Sequence, residues 1–186
     1  MASSFSTDLK LELMVTGEKA GQWGDITNTN LNLLQQAIAG YQEVNIAGGA
    51  QTTTLVMSDA ALSNARNAVI KLTGTITGNQ IVELPTGIEK TYIVENGTTG
   101  AFTVQFIQAG GTGTTFSTTD KGIKILYANG TNIIDVNSKL NTISLFTLPA
   151  TDGTSGQVIQ TNGSGALSFV TPVTTGKAIA MAIVFG

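Results

Sequence analysis

The sequence predicts a mainly β fold: an antiparallel β-sandwich or small barrel, preceded by an N-terminal arm and one α-helix and followed by a C-terminal β-hairpin and an apolar terminal strand. Three observations lead to this prediction. Residues 25–40 carry apolar side chains at helical spacing. From residue 41 onward, short β-branched runs alternate with Gly, Asn and Thr, which is typical of strands joined by tight turns. The last ten residues, 177–186, are apolar apart from Lys177.

These observations divide the chain into three regions. Residues 1–42 form the arm and helix, to which we assign assembly or attachment. Residues 43–137 form the β-sandwich body, and residues 138–186 form a linker, the hairpin and the apolar C-terminal strand. Strands are predicted in the body at residues 43–46, 53–57, 68–72, 80–84, 91–95, 102–107, 122–128 and 132–136.

The arm, residues 1–16, contains a period-2 pattern that predicts a short strand. Leu9, Leu11 and Leu13 alternate with other residues, so their side chains would lie on one side of an extended segment. Such an arm either folds back on its own chain or reaches a neighbouring copy, and the pattern is compatible with both.

The helix is predicted from its caps and its apolar stripe, and should run for about three turns. Short polar residues that could accept hydrogen bonds from the first helical turn are Asp25, Thr27 and Asn28. The stripe consists of Leu31, Leu34 and Ile38, with Leu33 and Ala37 alongside. Gly40 stands where a left-handed C-terminal residue is expected.

The helix stripe has two interpretations. It packs on the body of its own chain, or it forms an interface with another molecule. Trp23, the only Trp, is likewise either an anchor in a partner's pocket or a staple at the start of its own helix. For the interface we select five residues of this region: Gln22, Trp23, Leu31, Leu34 and Ile38.

Core positions of the body are predicted from alternation along two strands. The first set is Phe102, Val104 and Phe106. The second set is Ile123, Ile125 and Tyr127. Three Asn-Gly pairs, at residues 96–97, 129–130 and 162–163, predict type I′ hairpin turns, because that turn needs positive φ angles. We interpret them as recurrent turns and not as a sequence repeat.

The C-terminal segment is apolar on both faces of a predicted strand, which is typical of a strand buried from both sides. It is either the last piece of the subunit's own core or a strand that a neighbouring subunit receives. Residues on one of its faces complete the predicted assembly interface: Ile179, Met181, Ile183 and Phe185.

Composition argues for a surface that other molecules cover. Hydrophobic residues make up 41% of the 186 residues, but charged residues only 11%, against about 25% in a typical soluble domain. Weak charge repulsion leaves such a surface poorly protected against association. The alternative is a monomer whose polar surface is simply uncharged.

Several kinds of chemistry are disfavoured. The net charge of −3 and the single Arg do not suit a nucleic-acid binder, which needs clustered cations. There is no Cys or His, so thiolate and imidazole ligands or bases are missing. We therefore predict no enzyme, no cofactor and no metal. Two alternatives remain: a carboxylate pair assembled by the fold, and a calcium site at Asp120 or Asp152.

Neither a secretory signal nor a membrane partner is predicted. The N-terminal residues show no basic region followed by an apolar run. The apolar segment 177–186 is too short to cross a bilayer, which takes about 20 residues.

Five short segments carry a resemblance to a known family. They are GQWG at 21–24, TNTNL at 27–31, AIAGY at 37–41, ARNAV at 65–69 and LTG at 72–74. The first three resemble the opening of a family of tailed-bacteriophage virion proteins, common in phages of marine cyanobacteria and other aquatic bacteria and usually labelled tail fibre or structural protein. The resemblance continues through the last two segments. The stretch 148–170, with its Asn-Gly turn, is similar to segments of phage tail fibres, which are commonly trimers.

The resemblance implies a non-enzymatic component of a phage particle, made in the cytoplasm of the bacterial host. A tail fibre or tail appendage subunit that assembles as a homotrimer and contacts other virion proteins is the first expectation. A head decoration or capsid-stabilising protein is the second. A carbohydrate-binding receptor module, which would take host surface glycans as partners, is the third.

Overall fold

The computed structural model describes residues 3–139, 142–143, 146–173 and 183–184. The chain divides into two compact units, Met1–Asn137 and Ser138–Gly186. The elements of the first unit are β1 (Ser4–Phe5), β2 (Glu12–Leu13), α1 (Trp23–Ala39), β3 (Tyr41–Asn45), β4 (Gln51–Thr54), a 3₁₀ turn (Asn64–Arg66), β5 (Val69–Thr73), β6 (Gln80–Leu84), β7 (Glu89–Asn96), β8 (Val104–Gln108), β9 (Gly113–Phe116), β10 (Ile123–Asn129) and β11 (Ile133–Asp135).

The body of the first unit is built from two sheets between which the chain passes repeatedly. The strand orders are β11-β10-β7-β5-β3 and β4-β6-β8-β9. Thus β3 and β4 form a first coil, β5 and β6 a second, and β7 and β8 a third. Successive coils stack through parallel pairs, β3 with β5 and β5 with β7 in one sheet, β4 with β6 and β6 with β8 in the other. The arrangement is that of a short β-solenoid, in which each coil contacts only its neighbours.

The turns between the two sheets are stacked as well. Parallel bridges join Gly48 to Ile76 and Thr75 to Thr99. The stacking explains why glycine recurs in these turns. Gly100 has a φ of 106°, and a Cβ at this position would lie 2.2 Å from the carbonyl oxygen of Ile76. Only a residue without a side chain allows the backbone to approach so closely.

Antiparallel strands close the stack after the third coil. Strand β9 pairs with β8, β10 pairs with β7, and β11 pairs with β10. The two sheets also meet at this end, where Ile133 N–H donates to Thr112 O at 2.9 Å. The last strands therefore cover the backbone edges of the third coil.

One hydrophobic core lies between the two sheets. At its centre the rings of Tyr92 and Phe106, from opposite sheets, lie 6.2 Å apart. The Tyr92 hydroxyl donates to Ala65 O at 2.8 Å, so this buried polar group is satisfied. Other side chains with almost no exposure are Ile46, Leu55, Ile70, Leu72, Val82, Leu84, Val94, Val104, Phe116 and Leu126. Burying each contributes about 1.5–3 kcal/mol.

The prediction of a mainly β fold with facing sheets and one helix is confirmed. The strand directions are mixed, because four pairs are parallel. A turn signal marks where a strand ends. It does not say whether the next strand returns beside it or crosses to the other sheet, and here most cross.

The core prediction is confirmed in one strand and wrong in another. Val104 and Phe106 are buried and Phe102 packs against the core. In β10 the phase is reversed: the exposed side chains are Ile123, Ile125 and Tyr127, and the buried ones are Leu126 and Ala128. Apolar residues occupy both faces of this strand, so alternation alone could not choose between them. The register decides, since it places Leu126 opposite the buried Tyr92.

The predicted helix caps are wrong in detail. Helix α1 begins at Trp23 after Gln22, which makes no side-chain capping bond, and Asp25, Thr27 and Asn28 lie inside the helix. Gly40 has an extended conformation, with φ −69° and ψ 139°, and not a left-handed one. A glycine is required there for a different reason. A Cβ on Gly40 would lie 2.2 Å from Gln36 O.

The Asn-Gly pairs also differ from the prediction, since none of the three Asn residues has a positive φ. Asn129 and Asn162 do stand in hairpins, but the Asn side chain accepts the turn's backbone N–H groups, as with Thr131 N–H at 3.1 Å. Asn96 is buried at the corner after β7, where its Nδ2 donates to Asp120 O at 2.9 Å.

The arm folds back on its own chain. Strands β1 and β2 form a small antiparallel hairpin. Asn30 of α1 then joins β2 through two reciprocal hydrogen bonds, with Glu12 N–H at 3.0 Å and Glu12 O at 2.9 Å. Of the two alternatives for the arm, the structure has the one within the same chain.

Among the described residues, the second unit contains two small antiparallel pairs. Strands β12 (Thr142–Ile143) and β13 (Phe146–Thr147) form the first pair, and β14 (Val158–Thr161) and β15 (Leu167–Val170) form the predicted hairpin. Every residue of β14 is exposed. Two-stranded hairpins with so little burial are marginally stable on their own.

Candidate assembly surface

The predicted interface residues of α1 lie together on one exposed face of the helix. Trp23, Leu31 and Ile38 are 62%, 56% and 77% exposed, and Leu34 is half-buried. At about 100° per residue, these four positions fall within a sector of about 80°. We call them the helix stripe. Gln22, also exposed, immediately precedes it.

The other side of α1 holds the helix on the body. Leu33 is fully buried. Gln36 Oε1 accepts hydrogen bonds at 3.3 Å from Ser63 N–H and from the Arg66 guanidinium. Because Leu33 and Gln36, and not the helix stripe, face the body, the packing within this chain leaves the stripe free.

Arg66 connects α1 to the neighbouring segments through hydrogen bonds. It is completely buried, and it donates to Leu9 O at 3.0 Å, to Ser58 O at 2.7 Å and to Ala61 O. With Gln36, the guanidinium thus joins the arm, the helix and the loop after β4. Burial lowers the pKa of Arg66, and the charge of Asp59 opposes the shift. Sequence reasoning missed this role; the signal for it was that Arg66 is the only Arg of the chain.

Lys90 fixes the C-terminal end of α1. Its Nζ donates to Ala37 O at 3.3 Å and lies 4.6 Å from the centre of the Tyr92 ring. The last turn of α1 contains no basic residue, so Lys90 supplies the positive charge that helix C-terminal carbonyls favour. Burial lowers the pKa of Lys90 to about 8.

The helix stripe has the spacing and the charge of a helix–helix seam. Three residues of the stripe, Leu31, Leu34 and Ile38, continue a spacing that begins at Thr27. The intervals from Thr27 to Ile38 are four, three and four residues, which is the repeat of a coiled-coil seam. Asp25 is the only charged residue of α1. Identical helices could therefore approach side by side with little electrostatic repulsion.

The backbone edge of the first coil is partly capped by side chains of the same chain. Ile46 and Gly48 donate their N–H groups to the second coil, so the residues between them direct theirs to the open edge. Asn45 Oδ1 accepts from Ala47 N–H at 2.9 Å, and Gln51 Nε2 donates to Ala47 O at 3.0 Å. Gln42 Nε2 donates to the carbonyl of Glu43 at 2.7 Å.

The same closure continues after β4. Asn64 Oδ1 accepts from Val56 N–H at 2.6 Å, and Ala65 N–H donates to Val56 O at 3.1 Å. Edge strands protected in this way are poor templates for an added strand. The capped positions at Glu43, Ala47 and Val56 are therefore poorly suited to pairing with a strand of another molecule.

An open groove of about 550 Å³ runs along α1 on the side of Gln36. None of its lining residues is ionisable; they are Thr29, Asn32, Leu33, Gln35, Gln36, Ala39, Gly40, Ala60 and Leu62. A groove without titratable groups offers neither a general base nor a general acid.

The two candidate calcium residues are engaged with protein atoms. Asp120 Oδ2 lies 3.0 Å from Lys124 Nζ, and Asp152 Oδ1 accepts from Gly153 N–H at 2.8 Å. In the described part of the chain, no three Asp or Glu residues lie close enough together to hold a metal ion.

Three residues of the predicted C-terminal interface, Ile179, Met181 and Phe185, lie outside the described residues. Ile183 is described; it is exposed and helical, so the predicted strand is wrong at this residue. None of the helices within the described ranges has the length and apolarity needed to cross a membrane.

Comparison of the chain with protein-family models, with curated proteins and with solved structures gives no match. Function has to be inferred from the surface of this chain, whose main features are an exposed apolar helix face and a partly capped backbone edge.

Proposed function

We propose that this chain is a non-enzymatic structural subunit of a bacteriophage virion, a tail fibre or tail appendage subunit, which assembles as a homotrimer. The observation that carries the proposal is the helix stripe. Its large apolar residues share one exposed face of a helix that has a single charged residue. Apolar surface of this kind gains about 25 cal/mol per Å² when it is removed from water.

The phage assignment is supported by the location of the residues that carry the resemblance. GQWG at 21–24 lies at the start of α1, and AIAGY at 37–41 spans its end and the start of β3. ARNAV at 65–69 contains Arg66, which holds the helix in place. The family likeness therefore concentrates on the helix and its anchor, as expected if the shared function is assembly.

The copy number follows from the same resemblance, because fibres built from such segments are commonly trimers. Three helices that pack their stripes around one axis would bury Leu31, Leu34 and Ile38 of every copy. The spacing of these residues keeps them on the inner side of such a bundle.

The solution mass of the recombinant chain, measured by light scattering after gel filtration, tests the proposal. We expect about three times 19.2 kDa, retained on dilution. The double variant Leu31→Glu/Ile38→Glu should have the mass of a monomer and an unchanged far-UV circular dichroism spectrum. Asn28→Glu, at another exposed position of α1, is the matched control and should remain trimeric.

A monomeric wild-type chain would overturn the trimer. The location is tested separately, by labelling particles of a phage that encodes the chain with specific antibodies in electron microscopy. Label on the tail supports a fibre or appendage subunit. Label confined to the head would overturn that location in favour of a decoration protein.

A further inference from the structure

The outer face of the five-stranded sheet is a second exposed apolar surface. Ile125, Ile93, Val69 and Tyr41 are consecutive partners across β10, β7, β5 and β3, and so form one row across the sheet. Tyr127 and Ile123 flank Ile125 on the same face of β10. We call these six residues the apolar sheet face. All except Val69, which is half-buried, are between 39% and 61% exposed.

The other sheet provides an internal comparison. Its outer face also has a row of consecutive partners, Thr52, Ile81, Gln105 and Thr115, of which only Ile81 is apolar. The next row contains Thr54, Glu83 and Ile107. This sheet has the mixed, largely polar face expected of a sheet in contact with water. The apolar sheet face lacks that character.

The size of the helix stripe indicates that a stable trimer needs more surface. A stripe of about 22 Å by about 10 Å covers only about 220 Å², whereas a stable interface buries about 800 Å² on each partner. The apolar sheet face has one row of four residues and two flanking residues, and at about 4.8 Å by about 7 Å for each position it adds about 200 Å².

The short connection between α1 and β3 brings the Tyr41 end of this face close to the axis of a trimer formed through the helix stripe. Helices that pack at 8–10 Å lie about 6 Å from a shared three-fold axis. A single residue, Gly40, separates the end of α1 from Tyr41, the first residue of β3. Since two residues span at most about 7 Å, a trimer formed through the helix stripe places Tyr41 within about 15 Å of the axis.

The charges beside this face are partly neutralised within the subunit. Glu95, Lys71 and Glu43 form the neighbouring row, in which Lys71 Nζ lies 3.1 Å from Glu95 Oε1. The Tyr41 hydroxyl donates to Glu43 Oε1 at 2.7 Å. Each face therefore carries one carboxylate, that of Glu43, that has a hydrogen bond but no countercharge in this row.

We propose that the apolar sheet face packs against the same faces of two further copies, around the three-fold axis that the helix stripes define. The inference rests on the proposed trimer and adds a second interface to it. Trimer contacts then extend from Trp23 through α1 to the side chains of β7 and β10.

The first experiment is the solution mass of the full chain carrying Ile125→Lys. A lysine at this position introduces three like charges near the axis, so we expect a shift from trimer to monomer at concentrations at which the wild type remains trimeric. Thr115→Lys, an exposed position on the other outer face, is the matched control and should stay trimeric. A far-UV circular dichroism spectrum like that of the wild type, together with a cooperative thermal transition, would show that monomeric Ile125→Lys retains its fold.

A second experiment does not depend on disrupting the interface. The chain has no Cys, so Ile123→Cys introduces one thiol on the apolar sheet face. A short bismaleimide should cross-link this variant into dimers, and should leave Thr115→Cys uncross-linked.

The outcomes separate the two proposals. A monomeric wild type overturns both. A trimer that Leu31→Glu/Ile38→Glu dissociates, but that tolerates Ile125→Lys and gives no cross-link at position 123, overturns the sheet interface and leaves the proposed function in place.

Discussion

The first coil and the apolar surfaces of this protein differ in the groups that they expose to neighbouring molecules. At the first coil, the open-edge backbone groups of Glu43, Ala47 and Val56 are satisfied by side-chain or main-chain groups of the same chain. On the helix stripe and the apolar sheet face, large apolar side chains remain exposed. Hydrogen bonds within the chain hinder backbone pairing with other molecules at the capped positions. The exposed apolar side chains remain available for packing.

The difference matters because the two modes of association have different specificity. A free strand edge accepts almost any extended segment, since its hydrogen bonds are common to all residues. An apolar face selects a partner by shape. Capped edge positions beside exposed apolar faces therefore favour association through side-chain packing over strand addition.

The largest expected effect on stability concerns Arg66, which holds α1 on the body. Arg66→Met leaves the carbonyls of Leu9, Ser58 and Ala61 buried without their donor, and should lower the free energy of unfolding by about 3 kcal/mol or more. Urea unfolding followed by circular dichroism measures it. Arg66→Lys, which keeps a cation and part of the donors, should lose less. Equal losses for the two variants would show that the hydrogen bonds to these carbonyls are unimportant.

The next effect concerns the junction between α1 and β3. Gly40→Ala places a methyl group 2.2 Å from Gln36 O, and should cost about 1–3 kcal/mol of stability. Gly24→Ala is the matched control, because Gly24 is helical with no atom near its Cβ position. It should stabilise the protein by about 1 kcal/mol. Similar melting temperatures for the two variants would contradict the close approach at Gly40.

A smaller change in stability, but a change in association, is expected at the capped edge positions. The double variant Gln42→Val/Gln51→Val removes the side-chain donors to Glu43 O and Ala47 O. Exposed hydrogen bonds contribute about 0.5–1.5 kcal/mol each at most, so the monomer fold should persist. Sedimentation velocity should show species larger than those of the wild type. Their absence at high concentration would mean that these caps do not protect the edge.

A pH dependence of stability reports on the burial of Lys90 at the C-terminal end of α1. Burial lowers the pKa of Lys90 from 10.5 to about 8, so between these values the unfolded chain binds a proton that the native state does not. Stability should therefore rise with pH across this window. Burial raises the pKa of Tyr92 above its usual 10, so the native state retains that proton and stability should fall again above about pH 10.

Urea midpoints measured between pH 7 and pH 10 test this dependence. Lys90→Met removes the titrating amine and should flatten the rise. A rise of equal size in that variant would mean that another group causes it.

The sequence alone was sufficient for elements whose pattern is local. The boundaries of β6 agree with the predicted strand at 80–84, and the other strands of the body lie within a few residues of their predictions. Strand β9 was missed, because its short Gly-Thr-Thr-Phe run resembles the surrounding turns. The helix was predicted but began earlier, at Trp23, because its first turn has no side-chain cap to mark it.

For the candidate site, the sequence identified the helix stripe but not what holds it. Leu33 and Gln36 face the body and Leu31 and Ile38 face outward, although Leu31, Leu33 and Ile38 are comparably apolar. The packing around Arg66 determines which face of α1 is buried, and the segments that surround Arg66 lie far apart in the chain.

What the sequence by itself determined is the fold class and the presence of an apolar helix face, because both follow from periodicities of two and 3.6 residues that short segments express alone. The tertiary structure decided which sheet each strand joined, which face of β10 became buried, and why Gly40 and Gly100 must be glycine. These depend on contacts between residues of different coils or turns. Only the folded chain sets those distances.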